Sequence, residues 1–348
     1  MLITKRKPNF ERLKTTLFNQ KADAVPLIEL GIALSIKERV LNRKIDINSL
    51  EDEIEFMHYL GYDFIKLQPK ILFELNRQTV HIKDSGQNIR ETTDRAWSPE
   101  HKGMITSWAE FEKYPWPKIE DIDYSHFEQA RRVLPDTMGI IGQYGDIFTT
   151  AWELMGFETF ALSIYEQPDL IEAIFGKLSE LILSMFDTMS EMDWVGALWY
   201  SDDIAYSSGL MVNPDFFRTY FFPQLKHIGS LCKKRSIPFI YHTDGVLWEV
   251  MQDIIDSGVT ALHPIEPKSM NIYEVKEKVG DRLCLCGGIE VDLLSRGNRV
   301  EVTKLVRQYI EDIAVTGGYC IGSSNSIPEY INVDNYLAMI EVALNYSV

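Results

Sequence analysis

The stretch Ile237-Pro238-Phe239-Ile240-Tyr241-His242-Thr243-Asp244-Gly245 is an apolar run of β type that stops abruptly in polar residues. His242 closes the run and Asp244 follows two positions later, so both side chains share a face while extended geometry persists. Asp-Gly then marks a turn, and an amphipathic pattern over residues 247–257 predicts a helix beyond it. The same unit of strand, polar pivot and helix recurs along the chain. Comparable apolar runs lie at residues 26–30, 64–68, 139–143, 195–201, 261–265, 283–286 and 319–322. Helical spacing covers 168–192, 214–234, 299–315 and 333–344. Pro168 and Pro214 suit first-turn positions, and Gly258 suits a helix C′ position. Strands alternating with helices imply a parallel sheet, and eight such units imply an α/β fold of the (β/α)8 TIM-barrel type. The competing doubly wound open sheet lacks its usual mark, since no glycine-rich dinucleotide fingerprint follows the first strand.

One segment breaks the alternation. Residues 79–93 read as a hairpin with Asp84-Ser85-Gly86-Gln87 as its turn, which predicts a flap inserted after the second strand. The Trp- and Pro-rich stretch 97–117 reads as a loop able to cover a pocket. No linker or low-complexity segment divides the 348 residues, so a single domain over 1–348 is expected. A content of 45% apolar and 25% charged residues is enough for one large core. No apolar run is long enough to span a bilayer and no signal-type segment opens the chain, so a cytoplasmic protein is expected. Four cysteines are too few for a disulfide scaffold. The net charge of −16 excludes a nucleic-acid backbone as the natural partner and leaves a small molecule as the expected one.

In a barrel of this kind, function gathers where each strand meets the next helix. Those positions hold Glu29, Gln68, Gln143, Asp202, Asp203, His242, Asp244, Glu266, Cys286 and Cys320, followed by Ser323, Ser324 and Asn325. His242 suits a metal ligand or an acid–base group, because a neutral imidazole ligates and titrates near neutral pH. Asp244 has two readings, a ligand beside His242 or a cap for the helix that follows. Glu266 is a carboxylate held between Ile265 and Pro267. His263 and Cys284 read as structural residues of their strands. Imidazole, carboxylate and thiolate at neighbouring strand ends compose a zinc site with one open position, drawn from His242, Glu266, Cys320 and Asp244. Asp202, Asp203, Glu29 and Gln143 would line the pocket for orientation or proton transfer.

Several segments together resemble the uroporphyrinogen decarboxylase superfamily. They are residues 201–217, which open Ser201-Asp202-Asp203 and close Asn213-Pro214-Asp215-Phe216-Phe217, then Tyr241–Gly245, His263-Pro264-Ile265-Glu266-Pro267, Cys286-Gly287-Gly288-Ile289-Glu290 and Gly317-Gly318-Tyr319-Cys320. The resemblance runs from about residue 138 to the end and implies a (β/α)8 barrel with its cleft at the carboxyl ends of the strands. Two branches are weighed. Cofactor-free decarboxylases of porphyrin biosynthesis are expected to carry arginines right after the first strand, where this chain has Glu29-Leu30-Gly31. Arg39 and Arg43 lie downstream in a polar helical stretch. A carboxylate such as Glu29 would repel an acidic substrate there. The other branch comprises zinc-dependent methyltransferases that act on corrinoids and thiols, with a His-x-Cys pattern and a distant second Cys. His242 and Cys320 fall on the outer positions, and Asp244 stands where the first Cys would be. The resemblance therefore implies methyl transfer between a small molecule or corrinoid and a thiol or corrinoid acceptor, zinc as cofactor, a corrinoid protein as partner, and a homodimer. A porphyrinogen decarboxylase is the alternative, and a non-catalytic corrinoid binder is the third.

Overall fold

The computed structural model describes residues 6–73, 75, 78–82, 93–97 and 103–346. Seven strands form one curled parallel sheet: Phe64–Leu67, Gly139–Gly145, Val195–Ser201, Phe239–His242, Ala261–His263, Cys284–Cys286 and Tyr319–Cys320. Their order across the sheet is their order along the chain. A doubly wound sheet reverses its strand order at a switch point, so this monotonic order excludes that architecture. The predicted first strand, residues 26–30, is present only as a bridge. Leu27 pairs in parallel with Ile321, Ile28 N donates to Ile321 O at 2.8 Å, and Ile321 N donates to Pro26 O at 2.9 Å. Among the described residues no ladder joins this segment to Phe64–Leu67. Pro26 has no N–H to offer a second neighbour, and Gly31 ends the run.

Helices follow the strands as the apolar spacing predicts. Pro168–Glu191 starts on its proline and buries Leu170, Ile171, Ile174, Leu178, Leu181, Ile182 and Met185 on one stripe. That stripe packs on Gly139–Gly145 and Val195–Ser201, and each such side chain contributes roughly 1.5–3 kcal/mol on burial. The helix expected over 214–234 is interrupted: Pro214–Phe216 leads into a π turn at Phe217–Phe221 before Phe222–Arg235 continues. Pro223 explains the break, because it cannot donate to the carbonyl four residues back and its ring crowds that carbonyl.

Strands Gln78–Ile82 and Thr93–Trp97 pair antiparallel after the first sheet strand, where a hairpin was predicted; its turn lies outside the described residues. The stretch 97–117 is less loop-like than its composition suggests, since Trp108–Lys113 is helical. Among the described residues no helix is long and apolar enough to cross a membrane.

Candidate active site

Strand register decides which side chains meet. Trp199 stands beside Ile240, and Ser201 beside His242, which in turn stands beside His263. Across the concave face, the Lys66 ammonium lies 4.8 Å from the Trp199 ring centre and the Trp199 and His263 rings are 4.9 Å apart. Contacts between alternate strands fix this as the inner face of the curl. At its carboxyl end opens a cleft of about 890 Å³, lined among others by Glu29, Lys66, Gln143, Asp202, Asp203 and His242.

His242, Asp203 and Asp244 bring one ligand atom each within 4.8 Å of one another. His242 Nε2 is 3.8 Å from Asp203 Oδ1, and its Nδ1 is 2.8 Å from Nδ1 of His263. Burial lowers the His242 pKa to about 4, with Asp203 opposing, so the ring is neutral and can ligate. Asp244 does not cap a helix. The turns that follow, Trp248–Val250 and Met251–Asp256, have no side-chain cap. Instead Asp244 Oδ2 accepts from Asn325 Nδ2 at 2.6 Å, its N–H donates to Asp203 Oδ1 at 2.9 Å, and its Oδ1 is buried without a partner among the described residues. Burial, then repulsion from Asp203 and Glu266, pushes the Asp244 pKa up to about 8. A buried carboxylate oxygen left unpaired between another carboxylate and an imidazole is what a divalent cation would satisfy. The donor set therefore fits a cation, with nitrogen and oxygen ligands and no thiolate.

The predicted pocket residues divide into two kinds. Gln143 lines the cleft and donates to Ser201 Oγ at 2.9 Å. Glu29 lines it too, but both oxygens are held by Ser323, from the backbone N–H at 2.8 Å and the hydroxyl at 2.6 Å. Burial raises the Glu29 pKa to about 8 against those bonds and the nearby Lys66 charge. Asp202 is saturated. Its oxygens accept from Phe148 N at 2.7 Å, Thr149 N at 3.0 Å, Thr149 Oγ1 at 2.8 Å and Tyr200 OH at 2.8 Å. Burial pushes its pKa up to about 7 while these donors oppose the push. Asp202 thus anchors the start of helix Ile147–Met155, and a free proton-transfer role does not fit it.

Two expected ligands do not join the set. Cys320 lies level with Cys286 on the neighbouring strand and within 3.9 Å of Cys284 Sγ, in a fully buried thiol trio separate from the His242 cluster. It sits at the strand itself, whereas the residue from this segment that reaches Asp244 is Asn325, five positions on. Glu266 turns instead to Ser269, whose hydroxyl donates to it at 2.5 Å, and lines a separate hollow of about 430 Å³ with Asn325. It acts on Asp244 through charge alone. Sequence reading missed Lys66, although a lysine inside the apolar run Phe64-Ile65-Lys66-Leu67 was a signal. Its Nζ donates to Leu30 O, and burial lowers its pKa to about 7.

Residues 54–346 match the model of the uroporphyrinogen decarboxylase (URO-D) family. The chain belongs to that family. A solved methyltransferase from Methanosarcina mazei is similar to it, with a TM-score of 0.66 at 18% identity over 95% of this chain and 97% of that one. At this identity the likeness speaks for the fold. A xylose isomerase-like TIM barrel protein from Mycobacterium smegmatis, solved in complex with magnesium, covers 64% of this chain and 80% of that one at 15% identity. Its TM-score of 0.31 is too low to bear on this chain. No curated protein matches.

Proposed function

We propose that this URO-D family protein is a metal-dependent methyltransferase, moving a methyl group between a small molecule or corrinoid and a thiol or corrinoid acceptor. The observation that carries it is the convergence of His242, Asp203 and Asp244 on one point at the strand ends, with Asp244 Oδ1 buried and unpaired among the described residues. His242, Asp244 and Asp203 would hold zinc. When bound, zinc supplies Lewis acidity, which holds an acceptor thiol as thiolate or polarises the leaving group.

The chain's own residues do the rest. Asn325 orients Asp244, and Gln143, fixed by Ser201, presents a polar edge to the cleft. Lys66 and Glu29 also line the cleft, both with pKa values drawn toward neutrality by burial. A cleft of this size admits part of a corrinoid carried by a partner protein.

Porphyrinogen decarboxylation is less well served. Arg39 is engaged with the carbonyls of Ser35 and Glu329, and Arg43 with Asp52 and Glu55, all at the surface. Asp202 has no oxygen free for a pyrrole.

Purified without chelators, the protein is expected to hold about one zinc per chain, and His242→Ala and Asp244→Ala should each lose most of it. Transfer of methyl from methylcobalamin to a small thiol, followed by the cobalamin spectrum, then checks the reaction. Full zinc retention in both variants, or carbon dioxide release from uroporphyrinogen that ignores chelators, would overturn the reading.

A further inference from the structure

We infer that His263 is a positioning residue that sets the tautomer of His242, so that a bare Nε2 of His242 faces the cation; this rests on the metal site proposed above. The two rings meet through their Nδ1 atoms at 2.8 Å, with centroids 5.0 Å apart. A hydrogen bond needs one donor and one acceptor, so one Nδ1 carries a proton and the other is bare. His242 is committed to His263 on that side, and its Nε2 is left toward Asp203.

A neutral imidazole carries one proton. When His242 ligates through Nε2, its proton must sit on Nδ1 and be donated to His263 Nδ1, and the His263 proton is then on Nε2. With no cation, the opposite arrangement places Nε2–H of His242 toward the Asp203 carboxylate, with Nδ1–H of His263 donating to His242. Protons balance between the two states. His242 gives up its Nε2 proton, the shared proton passes from His263 to His242, and His263 gains one at Nε2. Each ring keeps one proton throughout, so a cation can enter without either imidazole losing charge balance.

Nothing competes for the His263 tautomer. Its Nε2 is buried with no partner among the described residues, and the neighbouring Trp199 Nε1 is equally unpartnered. The Trp199 ring packs on His263 at 4.9 Å, which holds the plane of the imidazole with its Nδ1 turned to His242. Metal-bound histidines are held this way by an acceptor on the far nitrogen; here that acceptor is a second imidazole.

The test uses the full chain with 15N-labelled histidine, titrated with Zn2+ and read by two-bond 15N–1H couplings. With zinc, His242 is expected to show its proton on Nδ1 and His263 on Nε2. His263→Phe keeps a ring and removes the acceptor, so the Kd for Zn2+ should rise roughly 10- to 100-fold. His263→Asn, whose amide oxygen can accept, should recover most of that loss. A folded His263→Phe with unchanged zinc affinity overturns the positioning role while the metal site stands. So does a zinc-loaded protein in which the His263 proton remains on Nδ1. Failure of the unmutated chain to bind Zn2+ overturns both. If His263→Phe does not fold, the couplings of the unmutated chain still decide.

Discussion

Asp244 carries two oxygens in opposite situations, one bonded to Asn325 and one buried with no partner among the described residues. Its raised pKa is a cost to the fold that a cation would relieve. Asp244→Asn should therefore separate function from stability. Urea unfolding is expected to show the metal-free variant equal to the parent or about 1 kcal/mol more stable, with zinc content lost. Glu29 makes a second prediction at this scale. Its folded pKa of about 8 lies above the ordinary carboxylate value, so the native state holds a proton that the unfolded chain releases. The stabilisation this gives is complete below the unfolded pKa and is lost as pH rises toward 8. Glu29→Gln should flatten that fall, checked by unfolding curves at pH 5, 6, 7 and 8. The sequence marked both residues as polar strand ends. It could not show that Ser323 holds one and Asn325 the other.

Helix Ile147–Met155 begins behind Asp146, which sits in the left-handed region at φ 66° and gives no side-chain cap. The cap comes from another element: Asp202, after strand Val195–Ser201, takes the first-turn N–H groups of Phe148 and Thr149. Asp202→Ala would strand two backbone donors and two hydroxyls in the interior, and should lower stability by on the order of 3 kcal/mol. Thermal melts check this, and a loss within experimental error would return Asp202 to the list of free pocket groups. Element boundaries were well marked in the sequence where local chemistry sets them. Pro168 opens its helix, and Gly258 adopts φ 84° after the helix before it. The π turn at Phe217–Phe221 was encoded in Pro223 but hidden by the unbroken apolar pattern around it. The cap of Ile147–Met155 was not legible, because its donor and acceptor lie 54 residues apart.

At the scale of the molecule, the sheet divides the ligating side chains into two clusters. Cys284, Cys286 and Cys320 form a buried thiol trio on the last two strands, and His242 gathers with Asp203 and Asp244. Cys320→Ala should then leave zinc content unchanged and cost about 1 kcal/mol of stability, with the trio reacting with a thiol reagent only on unfolding. Loss of zinc from a folded Cys320→Ala would restore the thiolate to the site.

By itself the sequence determined the parallel α/β architecture, seven of the strands and the main helices, and it marked His242 as a candidate at a strand end. These follow from period, turn residues and proline placement, which act within a few residues. Only the tertiary structure decided that Asp203 and Asn325, 41 and 81 residues from Asp244, meet it, and that Cys320 and Glu266 do not join His242. Convergence of that kind depends on register between strands and on the curvature of the whole sheet. A strand end announces that a side chain is polar; the sheet decides what it faces.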